Sequence, residues 1–189
     1  PKTLGQAAAI SALAKTKDKK YLPVFEKGVN AVSNAVKGSS VSAIVEIDPA
    51  RASTLADKID LEGAPENLLS KLLPIIVKNK VTSQMPNIAQ MAAFYPFLKF
   101  QNPELGKSAE EGYNWIMSSD NLKATESITK MLNQAKGQIG NNPQAKMMIS
   151  QMLKDGLAKK MELLKQNPQN AASINKQIDA INKSIEDFK

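Results

Sequence analysis

Apolar residues recur at helical spacing along most of the chain, whereas the alternating pattern of strands is nearly absent. The last segment is the clearest, with an apolar residue at every third or fourth position: Ala171, Ile174, Ile178, Ile181, Ile185 and Phe188. Such spacing forms a heptad seam on one face of a helix. The preceding segment, Pro143 to Gln166, repeats the pattern, and only a short joint separates the two. We predict an antiparallel helical hairpin over residues 143–189, whose seam packs either internally or against a coiled-coil partner.

Several helix starts share a sequence signature, in which a capping side chain is followed by proline. The signature occurs at Asp48-Pro49, Asn102-Pro103, Asn142-Pro143 and Asn167-Pro168. The capping side chain accepts a hydrogen bond from the first helical turn, and proline is preset for that turn. Together with the apolar spacing, this predicts an all-α fold, in which residues 1–189 form a single-domain bundle of about eight helices that includes the C-terminal hairpin.

Four stretches need a separate prediction. Pro23 to Lys37 is predicted as one helix, and Pro86 to Phe100 as a helix interrupted by its internal proline. Pro65 to Lys78 is apolar nearly all round, which is typical of a central helix, and we expect Pro74 to kink or end it. Val41 to Ile47 is the one strand-like run. Because a lone strand leaves its backbone unpaired, we expect a short helix or an extended connector there.

The composition excludes several kinds of chemistry. The chain has 189 residues with no cysteine and no histidine, so disulfides, Cys/His zinc sites and His-dependent triads are excluded. Its net charge is +7, and the positive excess lies at both ends of the sequence. Arg51 is the only arginine, which leaves the chain poorly equipped for bidentate binding of phosphate.

The densest basic run consists of Lys15, Lys17, Lys19 and Lys20. We predict it as the partner-binding surface, which would attract an acidic protein or a lipid surface. The alternatives are a solvated loop between helices and contact with nucleic-acid phosphates. Specific readout of nucleic acid favours arginine and aromatic platforms, and only Tyr21 lies nearby, so nucleic acid is a poor fit for this run.

Catalytic motifs are present only in fragments. Gly106-Lys107-Ser108 resembles the end of a phosphate-binding loop, but Gln101 stands where that loop needs its first glycine. Ser127 and Lys130 have the Ser-x-x-Lys spacing of serine β-lactamases without the rest of that signature. We therefore predict no enzyme, and no catalytic, cofactor-binding or metal-binding residue, with neither a cofactor nor a small-molecule substrate.

Two apolar clusters leave core and surface roles open. One is a group of methionines at positions 131, 147, 148, 152 and 161, and the other is Phe94-Tyr95-Pro96-Phe97 with Phe100. Methionines fill irregular gaps in cores, and on a surface they serve adaptable recognition. The aromatic cluster is interpreted either as a corner of the core or as a partner site.

The lysine-dominated, cysteine-free helical chain, which begins PKTLGQAAAI, resembles the exposed central domain of the antigenic (immunodominant) membrane proteins of phytoplasmas. The resemblance lies in the overall character of the whole chain, and it carries over no individual site residue. It implies a signal peptide before Pro1 and a membrane anchor after Lys189, hence anchored display at the cell surface. It also implies binding to host proteins, such as actin of the insect vector or ATP synthase subunits.

These observations give one functional hypothesis and one alternative. The hypothesis is a non-enzymatic, surface-exposed antigen or adhesin-like domain that binds host proteins, acidic ones such as actin among them, through its lysine-rich helical surface. The alternative is an intracellular or virion structural protein that binds nucleic acid non-specifically through its lysines.

Overall fold

The computed structural model describes residues 2–62, 64 and 66–189. The described residues are 83% helical and form no strand, so the all-α prediction is confirmed. The α-helices in this part of the chain are α1 (Lys2–Ala14), α2 (Leu22–Val29), α3 (Asn34–Ile47), α4 (Pro49–Ala56), α5 (Glu66–Lys78), α6 (Met85–Ala93), α7 (Tyr95–Gln101), α8 (Pro103–Met117), α9 (Leu122–Ile139), α10 (Pro143–Gln166) and α11 (Ala171–Asp187). Short 3₁₀ turns span Lys19–Tyr21, Thr82–Gln84 and Pro168–Asn170.

The predicted number of about eight helices is wrong, since the described residues form eleven. One cause is that the predicted helix Pro23–Lys37 is divided into α2 and α3. Val32, whose spacing suggested a place on the apolar face, lies in the break and is fully exposed at 104%. Ser33, just before α3, has the extended backbone of an N-cap residue, with φ −76° and ψ 118°.

A second division produces α6 and α7 from the predicted segment Pro86–Phe100. The interruption expected near its internal proline is present, because α6 ends at Ala93 and α7 begins at Tyr95. Pro96 stands in the first turn of α7, where a missing N–H leaves no helical bond unmade.

Two further predictions concern proline and the strand-like run. The predicted start of α5 at Pro65 lies outside the described residues. Pro74 lies inside α5 and does not end it, because the buried side chains on either side, Leu73 and Ile76 among them, keep the helix packed. Val41 to Ile47 forms the second half of α3. Of the two predictions for this run, a short helix or an extended connector, the helix is confirmed.

The chain divides into two compact units, residues 1–84 and 85–189, each with its own buried apolar side chains. The prediction that residues 1–189 form a single domain stays a prediction. In the first unit α3 packs against α1, α2, α4 and α5. Phe25, Ile44, Leu73 and Ile76 are among the fully buried side chains of that unit.

In the second unit α8 is a shared neighbour, since it packs against α6, α7, α9 and α10. Helix α11 packs against α9 and α10, and it buries Ile174 and Ile181 of the predicted seam completely. Asn102, Asn121 and Asn142 cap α8, α9 and α10 through side-chain oxygens that accept backbone N–H bonds.

Candidate binding groove

An open groove lies in the second unit, bordered by α7, α8 and α10. Its cavity volume is about 570 Å³. The apolar residues along it are Tyr95, Pro96, Phe100, Met147, Met148 and Met152, and the polar ones are Lys99, Glu110, Gln151 and Asp155. This groove therefore joins the aromatic cluster of the sequence to three of its clustered methionines.

Large apolar side chains in the groove are open to solvent. Phe100 is 76% exposed and Met147 is 66% exposed, whereas Met152 is 2% exposed and belongs to the core. Exposed apolar side chains gathered in one concave place indicate a binding surface more strongly than the same residues scattered singly. Both interpretations of the methionines therefore apply, the surface one at position 147 and the core one at position 152.

The wall formed by α7 is held close to α8 by a glycine. A Cβ added at Gly106 would lie 2.5 Å from the backbone N and Cα of Lys99. No side chain fits in that space, so Gly106 serves helix packing. The fragment Gly106-Lys107-Ser108 thus lies inside α8 and has no loop that could hold a phosphate.

The floor of the groove contains a tyrosine pair. The rings of Tyr95 and Tyr113 lie 5.4 Å apart between centroids, in a tilted arrangement. The buried hydroxyl of Tyr113 donates to the carbonyl oxygen of Met152 at 2.7 Å. A Cβ at Gly156 would lie 2.3 Å from that hydroxyl, so the glycine makes room for the bond. The bond ties α8 to the middle of α10 and fixes the two walls of the groove.

One end of the groove is polar. An adjoining cavity of about 500 Å³ shares Tyr95, Glu110 and Asp155 with it and continues to Lys159 and Glu162. Three carboxylates thus line this end beside one ammonium, in a chain whose net charge is +7. Glu110 already pairs with Lys99, whose ammonium lies 2.6 Å from the carboxylate. Asp155 accepts a hydrogen bond from the neutral amide of Gln151 at 2.8 Å.

The pKa values of the two tyrosines are raised at this end of the groove. The pKa of Tyr95 is raised, first by burial and then by the nearby carboxylates of Glu110 and Asp155. The pKa of Tyr113 is raised well above its ordinary value, mainly by burial and to a smaller extent by Tyr95 and Asp155. Each carboxylate disfavours a second negative charge, so both phenols stay neutral over the physiological range.

The predicted basic run lies in the first unit, at the end of α1 and in the 3₁₀ turn that follows. Most of its charge is balanced locally. Lys17 pairs with Glu46 at 3.4 Å and Lys19 with Asp48 at 3.2 Å, while Lys20 pairs with Asp18 at 2.8 Å. The pairs of Lys17 and Lys19 link the turn to the end of α3, whereas the pair of Lys20 lies within the turn.

The fourth lysine of the run is different. The Lys15 side chain makes no ion pair or hydrogen bond with any residue that the structure describes.

The aspartates beside the run respond to its lysines. The pKa of Asp18 is lowered, first by the side-chain hydrogen bond from Lys20 and then by the Lys20 backbone N–H. The pKa of Asp48 is lowered by the Arg51 backbone N–H and then by Lys19. The assignment of Lys15, Lys17, Lys19 and Lys20 as partner-binding residues stays a prediction.

One buried lysine was not predicted from the sequence. Lys160 of α10 has no exposed surface, and its ammonium donates to the backbone carbonyls of Ile116, at 3.0 Å, and of Ser119. These carbonyls lie at and just beyond the end of α8, where the helix offers no i+4 N–H donors, and the Ile116 carbonyl also accepts from the N–H and hydroxyl of Ser119. The sequence did contain a sign of this burial, because Lys160 follows buried Ile149, Leu153 and Gly156 at the same spacing of three and four residues. Met161, one of the clustered methionines for which core and surface roles were left open, is 51% exposed.

The remaining sequence motifs have structural roles. The Ser127 hydroxyl donates to the carbonyl of Lys123 at 2.8 Å, so it makes a bond within its own helix.

Within the described ranges, no three acidic side chains come close enough to hold a metal ion. No α-helix in the same ranges is long and apolar enough to cross a membrane.

Comparisons with known proteins found no counterpart: no family model matches the chain, and neither the curated proteins nor the solved structures include a significantly similar one.

Proposed function

We propose that this protein is a non-catalytic binding domain and that the groove between α7, α8 and α10 receives a protein partner. The observation that carries the proposal is that Phe100 and Met147 are both exposed and both line the same open cavity. Burying a large apolar side chain contributes about 1.5 to 3 kcal/mol, so two such side chains give an interface a strong apolar centre.

The partner we propose is a host protein, with actin and ATP synthase subunits as the first candidates. The resemblance to phytoplasma antigenic membrane proteins supports this choice, together with anchored display at the cell surface. Antibody binding to intact cells would test that location, and labelling only after lysis would contradict it.

The predicted hairpin of α10 and α11 is part of the proposal, because α10 forms one wall of the groove. In its support, Lys146 near the start of α10 donates to the Lys189 carbonyl at 2.8 Å.

A binding assay with purified actin and purified ATP synthase tests the proposal. The groove variant combines Phe100→Ser with Met147→Ser, and the control variant Val32→Ser removes a still more exposed apolar side chain from the first unit. We expect the groove variant to weaken binding at least about tenfold and the Val32 variant to bind as wild type does. Failure of both probes to bind, or equal binding by the groove variant, would contradict the proposal.

The lysine run is tested in the same assay. A variant with Lys15, Lys17, Lys19 and Lys20 all replaced by glutamine should bind more slowly if the run steers an acidic partner, and the difference should shrink with added salt. The alternative, non-specific binding of nucleic acid, predicts a mobility shift at low salt that disappears as salt is raised.

A further inference from the structure

We infer that the occupant of the groove is an amphipathic helix of the partner, with basic side chains flanking its apolar face. The inference rests on the proposed function and adds the chemistry of the segment that binds. Two observations lead to it, the residues that line the groove and the charge along its edge.

The lining suits one face of a helix. The apolar residues of the groove lie on α7 and α10, so an amphipathic helix can bring side chains three and four positions apart into contact with both. Methionine has a flexible and polarizable side chain, so Met147 and Met148 can adapt to apolar side chains of different shapes. The rigid part of the surface is supplied by Tyr95, which rests on buried Tyr113.

The carboxylates at the edge of the groove favour basic side chains beside the apolar face of the partner helix. Glu110 pairs with Lys99, so Asp155 and Glu162 are the carboxylates that remain for a partner, beside the ammonium of Lys159 in the same cavity. Asp155 has no ammonium within ion-pair distance among the described residues, and its hydrogen-bond donor is a neutral amide. The ion pair between Glu162 and Lys165 is long, at 3.6 Å, and both side chains are more than half exposed. Such exposed pairs are weak and exchange readily for another cation.

This inference opposes the charge of the whole protein. A chain with net charge +7 attracts acidic ligands at long range, so non-specific binding would favour an acidic helix. A preference for a basic helix therefore requires the local carboxylates of the groove. The two outcomes have opposite sign, which makes the preference a sharp test.

The test uses two fluorescent synthetic helices about 18 residues long with the same leucine face, one with lysine and one with glutamate on its polar face. Fluorescence anisotropy near physiological salt gives the affinity of each peptide for the full chain. We expect wild type to bind the lysine peptide about tenfold more tightly than the glutamate peptide.

Two pairs of variants identify the cause. Asp155→Lys with Glu162→Lys should reverse the preference. Glu126→Lys with Asp179→Lys changes the net charge equally, at exposed carboxylates on α9 and α11, and should keep the preference for the lysine peptide. The variant with Phe100→Ser and Met147→Ser should lose affinity for both peptides. Circular dichroism and the fluorescence of Trp115 verify that each variant is folded.

The outcomes separate the inference from the proposed function. Groove-dependent binding without the lysine preference, or with a preference that the control pair changes equally, overturns the inference and leaves the proposed function standing. No binding of either peptide, or binding that the Phe100 and Met147 variant does not weaken, also overturns it. The assay with actin and ATP synthase then decides on the proposed function by itself.

Discussion

Replacing Lys160 with methionine removes a buried ammonium group while keeping most of the side-chain volume. Burial lowers the pKa of Lys160 from its ordinary value of 10.5 to about 8, against the opposing effect of Asp120. Below pH 8 both the folded and the unfolded chain hold the proton. Between the two pKa values the unfolded chain holds one proton more, so the free energy of unfolding of wild type rises with pH.

The size of this effect follows from the two pKa values. Each pH unit between them adds about 1.4 kcal/mol to the free energy of unfolding. From about pH 7 to about pH 10 the gain is about 2 to 3 kcal/mol, and Lys160→Met lacks it. We therefore expect the difference in unfolding free energy, wild type minus Lys160→Met, to grow by that amount over this range.

Urea denaturation followed by Trp115 fluorescence measures the difference at each pH. Lys154→Met, at an exposed lysine on the same helix, is the matched control, and its difference from wild type should stay flat because water surrounds that side chain in both states. A flat difference for Lys160→Met as well would refute the reasoning. It would mean that the carbonyls of Ile116 and Ser119 compensate fully for the loss of water.

Three further substitutions probe packing, each by urea denaturation. Gly106→Ala forces a methyl group against the Lys99 backbone and should destabilise the protein by about 1 to 3 kcal/mol and weaken peptide binding in the groove; unchanged stability would contradict the close packing of α7 on α8. Ser40→Ala should stabilise it by about 1 kcal/mol, because the buried Ser40 hydroxyl has no hydrogen-bond partner among the described residues; a loss of stability would reveal a partner. Tyr113→Phe should cost about 1 kcal/mol through the lost bond to the Met152 carbonyl, and a neutral result would show that this bond contributes nothing.

Sequence reasoning worked best where a local signal decides the structure. The starts of α8 and α10 were predicted to the residue, because Asn102 and Asn142 cap these helices and proline follows each cap. It failed where distant contacts decide. The spacing of Phe25, Val29, Val32 and Val36 suits one continuous helix, yet the chain turns at residues 30–33.

The groove was only partly predictable. The methionines and aromatic residues that line it were recognised from their clustering, since clustering is visible in a sequence. The carboxylates Asp155 and Glu162 were not, because their place beside Glu110 depends on the packing of α8 against α10. The pairing of the lysine run with Glu46 and Asp48 was hidden for the same reason.

The exposure of Met147 also makes the groove sensitive to oxidants. Oxidation turns an accessible methionine into its sulfoxide, which is polar and chiral, whereas buried Met152 is shielded. A preparation stored in air would lose the apolar character of the groove at position 147 while keeping its helical content. Reductase treatment would restore that character without refolding the chain.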